Sequence, residues 1–191
     1  MWCVQVNASG PALSPTALWS RDLGDVDGSP VLRNGRVYIG ANSGVVYSLD
    51  AATGLDDRTF SPGDGPVKGF LFPDRRNDNL IFATENNVWS IADNGSASMP
   101  QNWVWTTAGL KPSIVLYRPQ TNYVYVGGAN GKLWQLDFTY PAADPSFAKS
   151  LTLGDGTGQI GAPTLDIGVS PPLLIVGSES GVLYGVEVPL P

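Results

Sequence analysis

The chain predicts an all-β fold of repeated small antiparallel sheets, and three observations carry that reading. Glycine (23) and proline (16) interrupt the 191 residues too often for long helices and suit short strands joined by turns. A pattern of strand, Gly/Asn turn and aromatic-bearing strand recurs four times. Its shared aromatic falls at Tyr47, Trp89, Trp134 and Tyr184, in steps of 42, 45 and 50 residues. That is the period of a four-stranded blade of a β-propeller, roughly 40–50 residues.

Each recurring segment reads as a hairpin. The segments are 37–50, 81–92, 124–137 and 174–187. The first strand of each is rich in β-branched and aromatic residues and ends at Gly40, Ala83, Gly127 or Gly177. A turn follows at Asn42-Ser43-Gly44, Asn86-Asn87, Asn130-Gly131 or Ser180-Gly181. Asn and Gly tolerate the positive φ that tight hairpins need. These two strands are taken as C and D of a blade.

Strand B opens near Pro30, Pro66, Pro112 and Pro163, because proline is tolerated where a strand begins. Strand A carries Leu18-Trp19, Thr59-Phe60, Trp103–Trp105 and Leu151–Leu153. It is expected to line the central channel. The resulting expectation is four blades of four antiparallel strands over 17–54, 55–96, 101–140 and 146–191. Residues 1–10 form strand D of a preceding blade, since Trp2–Gly10 aligns with Tyr47–Gly54. An extra strand of that kind implies part of a larger ring, with a closed four-bladed ring as the alternative.

Composition excludes several function classes. Seventeen acidic residues outnumber eleven basic ones, for a net charge of −6. A nucleic-acid partner calls for a basic face, and Arg75-Arg76 is the longest basic cluster. No apolar run approaches the ~18–20 residues of a membrane helix. No signal peptide is recognisable at the N-terminus, so export would depend on a segment outside this chain. The absence of histidine removes Ser-His-Asp and Cys-His catalysis and histidine zinc sites. Cys3 is the single cysteine, a small strand residue with no partner for an intrachain disulfide.

The stretch Tyr47-Ser-Leu-Asp50-Ala-Ala-Thr53-Gly54 resembles the repeat of quinoprotein-like propellers. That family includes PQQ-dependent alcohol dehydrogenases and an outer-membrane-assembly lipoprotein of the bacterial periplasm. Its repeat runs aromatic, small, apolar, Asp-Ala-x-Thr-Gly, then a tryptophan that docks between blades. Asp50, Thr53 and Gly54 match, with Phe60 near the docking position. Trp19-Ser20 and Ser29-Pro30 match the family's strand openings. The match is sharp in the first repeat, good in the third and fourth, and blurred in the second. It implies about seven or eight blades for a full ring, so four form part or half of one. Two such halves could pair as a homodimer. It also implies a periplasmic or extracellular location.

The candidate site residues lie in the A-to-B loops and on the aromatic strands. Asp25, Asp27, Asp64 and Asp155 sit in Gly-Asp loops expected to cluster near the axis, where carboxylates suit calcium. The same residues are ordinary turn chemistry, and 25–28 is not a full EF-hand loop. Trp19, Trp89, Trp103, Trp105 and Trp134 offer a stacking platform for a quinone, sugar or peptide, or the packing between blades. The segments with which the family holds PQQ have no match, so no cofactor-binding residue is assigned. Asn7-Ala8-Ser9 and Asn94-Gly95-Ser96 fit the glycosylation acceptor pattern but fall at turns. The expected role is a non-catalytic exported scaffold that binds a protein or surface polymer through its loops. The alternatives are a fragment of a PQQ-dependent dehydrogenase and a calcium-dependent adhesin.

Overall fold

A computed structural model describes residues 1–7, 14–55, 57–74, 79–118 and 120–191. Arg75-Arg76 and the Ala8-Ser9 half of the first acceptor tripeptide lie outside the described residues. The structure is nearly all β, with a single 3₁₀ turn at Pro145–Phe147 among the described residues.

The chain opens with a two-stranded hairpin, β1 (Trp2–Asn7) and β2 (Ser14–Ser20). A four-stranded antiparallel sheet follows: β3 (Val31–Arg33), β4 (Arg36–Gly40), β5 (Val46–Asp50) and β6 (Arg58–Phe60). The second comprises β7 (Lys68–Asp74), β8 (Asn79–Ala83), β9 (Val88–Ala92) and β10 (Gln101–Trp105). The third comprises β11 (Leu116–Arg118), β12 (Tyr123–Gly127), β13 (Lys132–Asp137) and β14 (Ala148–Thr152). The last holds three strands, β15 (Thr164–Asp166), β16 (Leu173–Gly177) and β17 (Leu183–Glu187). Sequence neighbours pair throughout, which is the blade arrangement of a propeller, and the sheets form an open arc.

One expectation is corrected. The strands at Thr59-Phe60, Trp103–Trp105 and Leu151 do not line the axis. They are β6, β10 and β14, each at the outer edge of the sheet preceding the blade to which the sequence assigned it. The strands that open near the four prolines are innermost, and β7 lies against both β3 and β11. The reason is local. A short turn links β5 to β6, so the two strands pair antiparallel. The glycine-rich loop after β6 carries the chain from the outer edge back to the axis. The complete sheets therefore span 31–60, 68–105 and 116–152, and cut across the expected blade limits.

Alternation makes the middle strands apolar on both faces. Leu80 and Phe82 of β8 pack toward the first sheet with Tyr38 and Val46. Ile81 and Ala83, pointing the other way, pack toward the third with Val115, Val124 and Val126. Tyr125 and Leu133 of the third sheet meet Leu174, Val176 and Val186 of the last. Each sheet is thus the hydrophobic partner of the next, at roughly 25 cal/mol per Å² of apolar surface removed from water.

The aspartate turn of the repeat shows why its residues are needed. Asp50 Oδ1 accepts from the Ala52 and Thr53 amides at 3.0 and 2.9 Å and from Thr53 Oγ1 at 2.8 Å. Thr53 holds the Asp50 carboxyl below its ordinary value, its hydroxyl bond being the largest cause. Gly54 follows at φ +69°, with the Trp19 ring where a Cβ would stand, 2.5 Å from its nearest atom. Trp19 Nε1 donates to Ala51 O at 3.0 Å, which docks β2 onto the first sheet. Gly54→Val is expected to lose on the order of 2–3 kcal/mol through backbone strain and collision with Trp19. Urea denaturation would measure the loss.

Candidate functional site

The loops that link sheets gather on one face of the arc, where each clasps the hairpin tip of the following sheet. The clasp recurs in four places. The Asn42, Glu85, Ala129 and Glu179 amides donate to the carbonyls of Asp25, Asp64, Leu110 and Gln159 at 2.9, 3.1, 2.9 and 3.0 Å. These are equivalent positions in successive repeats.

The four candidate aspartates serve this clasp or its turns. Asp25 contributes its carbonyl. Asp27 Oδ2 accepts from Asn42 Nδ2 at 2.8 Å. The Asp64 carboxylate accepts from Thr84 Oγ1, from Asn86 Nδ2 at 2.8 Å and from Asn87 Nδ2 at 2.6 Å. Burial alone would raise its pKa, but these three donors outweigh it and hold Asp64 below the usual carboxylate range. Asp155 Oδ1 accepts from Thr157 N and Oγ1 at 3.0 and 2.7 Å. The Thr157 hydroxyl is the largest cause of its lowered pKa. Gln159, not Asp155, occupies the position equivalent to Asp64. Among the described residues, no three acidic or cysteine side chains gather into a group that could hold a metal ion.

Between the clasps, toward the axis, lies an open cavity of about 540 Å³. Val67, Ile114 and Ile160 supply apolar lining, and Lys68, Glu85 and Lys111 supply charge. Lys68 Nζ donates to Pro112 O at 2.9 Å and lies 3.9 Å from Glu85. Gln159 Nε2 donates to Lys111 O at 2.9 Å. Polar bonds between successive sheets thus brace the mouth of the arc. This is an apolar patch with a few placed polar groups, the usual make-up of a binding site.

The aromatic candidates pack between strands and sheets. Trp89 is buried, donates from Nε1 to Thr84 Oγ1 at 2.9 Å, and meets Phe60 edge-on at 5.6 Å. Trp134 meets Trp105 edge-on at 5.1 Å. Trp103 packs on Phe138 and Phe147. Tyr47 packs beside Ile39 and Leu49, and Tyr184 joins the core between the third and last sheets.

A charged cluster between the first two sheets was not read from the sequence. The Asp93 side chain is 4% exposed. It accepts from Arg58 Nη1 at 2.6 Å, and from Tyr38 Oη and Ser48 Oγ at 2.8 Å each. Arg36 Nε stands 3.6 Å away. Burial works to raise the Asp93 pKa, but the bonds from Arg58, Tyr38 and Ser48 prevail and lower it. Tyr38 is pushed up to about 12, chiefly by burial and then by its bond to Asp93. The available signal was weak: Asp93 falls one place after the position that Asp50 occupies in the first repeat.

No protein-family model matches the chain. It is 28% identical over 119 residues to the dehydrogenase subunit of the quinone alcohol dehydrogenase of Gluconacetobacter polyoxogenes. That match covers 59% of this chain and 15% of the relative. Among solved structures, BamB from Moraxella catarrhalis matches with a TM-score of 0.62 and 24% identity, over 90% of this chain and 50% of that one. The β-propeller domain of Myceliophteria thermophila Cps50 (Swd1) matches at 0.60 and 15%, over 81% and 49%. The computationally designed Ika4 protein matches at 0.58 and 15%, over 90% of this chain and all of its own. The chain is therefore a partial β-propeller similar to PQQ-type repeat proteins. It spans about half the length of the BamB chain and a small part of the dehydrogenase subunit.

The buried cluster contributes to the pH dependence of the fold on both the acid and the alkaline side. The folded Asp93 pKa lies below the unfolded value, so its contribution is present above about pH 4 and lost as pH falls toward the folded value. Tyr38 is raised, so its contribution is complete below about pH 10 and lost as pH rises through 12. Asp93→Asn is expected to be less stable at pH 7 by about 3 kcal/mol and to show a flatter acid limb than wild type. Tyr38→Phe should flatten the alkaline limb. Thermal melts across pH would follow both.

Proposed function

We propose that this chain is a protein-binding propeller scaffold, exported to the periplasm or beyond, whose partner docks at the mouth of the arc. The observation that carries this reading is the mouth itself. Four repeated clasps fix the linking loops, and a cavity with an apolar floor and charged rim lies between them. Rigid loops bind with less ordering cost than mobile ones. The carboxylates of Asp27, Asp64 and Asp155 are engaged with clasp and turn donors. The fold likeness to BamB is compatible with such a role, and exported location follows from the resemblance of the repeats.

A second reading has one observation in its favour, the identity with the quinone alcohol dehydrogenase subunit. It makes the chain a stretch of a PQQ-dependent enzyme with its cofactor site elsewhere. The aromatic residues that would stack on a quinone are committed to packing here, so the scaffold reading is preferred.

The test is selection of a displayed random-peptide library against the purified chain, followed by binding of the enriched peptides to mouth variants. The scaffold reading expects enriched peptides whose affinity drops at least tenfold in Ile114→Asp and in Lys68→Glu. Enriched peptides that ignore both substitutions would place the binding surface elsewhere and defeat the proposal. Titration with PQQ and calcium, read by quinone absorbance and melting temperature, addresses the dehydrogenase and calcium readings. The scaffold expects no change in either.

A further inference from the structure

The connection between β9 and β10, residues 93–100, joins two sheets as well as two strands. Asp93 reaches back to Arg58, Tyr38 and Ser48 of the first sheet. Thr59 of β6 donates its amide to Ala97 O at 3.1 Å and accepts from the Met99 amide at 3.1 Å. The segment thereby adds a short parallel bridge to the outer edge of the first sheet. Met99 is 2% exposed, in the core that the first two sheets share. The connection is a strap pinned at Asp93 and again at Ala97–Met99, with Asn94, Gly95 and Ser96 exposed between the pins.

Asn94-Gly95 is one of three Asn-Gly pairs, the others being Asn34-Gly35 and Asn130-Gly131. In such a pair the glycine nitrogen can attack the asparagine side-chain carbonyl carbon, because glycine has no side chain to obstruct the approach. The fold treats the three pairs differently. Asn34 and Gly35 lie at φ +49° and +73°, and Asn130 and Gly131 at +57° and +62°, the central residues of primed hairpin turns. Gly131 N is also tied to Gly158 O at 2.7 Å. Closing a five-membered ring in either pair means leaving the turn and opening a paired hairpin. Asn94 is not in the left-handed region. Its Oδ1 accepts from the Ser96 amide at 3.1 Å, a bond that stabilises the negative charge gathering on that oxygen during attack. The Gly95 amide donates to Asp93 Oδ1 at 3.3 Å, the direction in which its proton must leave.

We propose that Asn94 is the site at which this chain deamidates spontaneously, and that the isoaspartyl product slackens the strap between the first two sheets. The Gly95 nitrogen bonds to Asn94 Cγ and gives up its proton. The bond from Cγ to the side-chain nitrogen breaks, ammonia leaves, and a cyclic imide remains. Water opens the imide at either carbonyl, giving aspartate or isoaspartate. The balance is one water in, one ammonia out and one negative charge gained. In isoaspartate the main chain runs through the former side chain and is one methylene longer, between pins set for the shorter path. Its carboxylate arises beside Asp93, where a second like charge opposes the first. None of these residues belongs to the mouth, so the modification stands or falls separately from the binding role.

The test is to hold the purified chain warm at neutral pH, native or unfolded in guanidinium chloride, and to map it by peptide mass spectrometry. In the native chain the peptide bearing Asn94 is expected to gain about 1 Da, with isoaspartate as the major product by electron-transfer fragmentation. It should do so about tenfold faster than the peptides bearing Asn34 and Asn130, whose hairpins must first open. In the unfolded chain the three should react at similar rates. Asn94→Gln should abolish the gain, since the six-membered ring closes far more slowly. Hydrogen exchange at the Thr59 and Met99 amides should be about tenfold faster in the isoaspartyl form than in Asn94→Gln. Native reaction at Asn34 or Asn130 that matches Asn94 would overturn the proposal. So would an Asn94 that reacts only when the chain is unfolded, or unchanged exchange at Thr59 and Met99 in the isoaspartyl form.

Discussion

Everything in this structure depends on sheets that are apolar on both faces. A four-stranded sheet with Leu80 and Phe82 on one side and Ile81 and Ala83 on the other is not stable alone in water. It needs a neighbour on each face, and that need fixes the repeat, the arc and the character of its ends. Contacts are made between successive sheets, so stability is close to a sum of units and nearest-neighbour junctions. The polar groups that cross junctions reinforce the same arrangement. Trp19 bonds to the Ala51 carbonyl, Asp93 draws Arg58 and Tyr38 of the first sheet to the second, and the clasps tie each linking loop to the next hairpin tip.

The mouth follows from this constraint. A chain that leaves the outer edge of one sheet must return to the axis to begin the next, so four linking loops converge on one face of the arc. Glycine and aspartate suit those loops because the path is tight and its carbonyls and amides need partners. Asp64, with three side-chain donors around it, shows the acidic residue acting as a structural anchor. The same anchoring leaves an ordered rim around an apolar floor, which is the property a docking site requires.

The repeat was legible because its signals are local. The aromatic positions, the Asn/Gly turns and the strand-opening prolines each act within a few residues, and the hairpins they foretold are present as β4–β5, β8–β9, β12–β13 and β16–β17. The assignment of β6, β10 and β14 to the wrong sheet was not resolvable in the same way. A strand between two loops can pair with either neighbour, and Trp103 or Phe60 looks alike in both. Gly-Asp-Gly at Asp64 and Asp155 left calcium binding and turn chemistry both open; the Asp155 carboxylate holds the Thr157 turn, while the clasp in that repeat is made by a carbonyl that any residue can supply, here Gln159. The Asp93 cluster escaped because its partners lie 35–55 residues away in sequence.

Native-state hydrogen exchange tests the dependence on neighbours most directly, read strand by strand on the purified chain. If junctions supply the stability, protection is greatest in β8, β9, β12 and β13, which have a sheet on each side. It falls off toward β1–β2 and β15–β17 at the ends of the arc. Uniform protection across all the strands, or protection that peaks at the ends, would contradict the account.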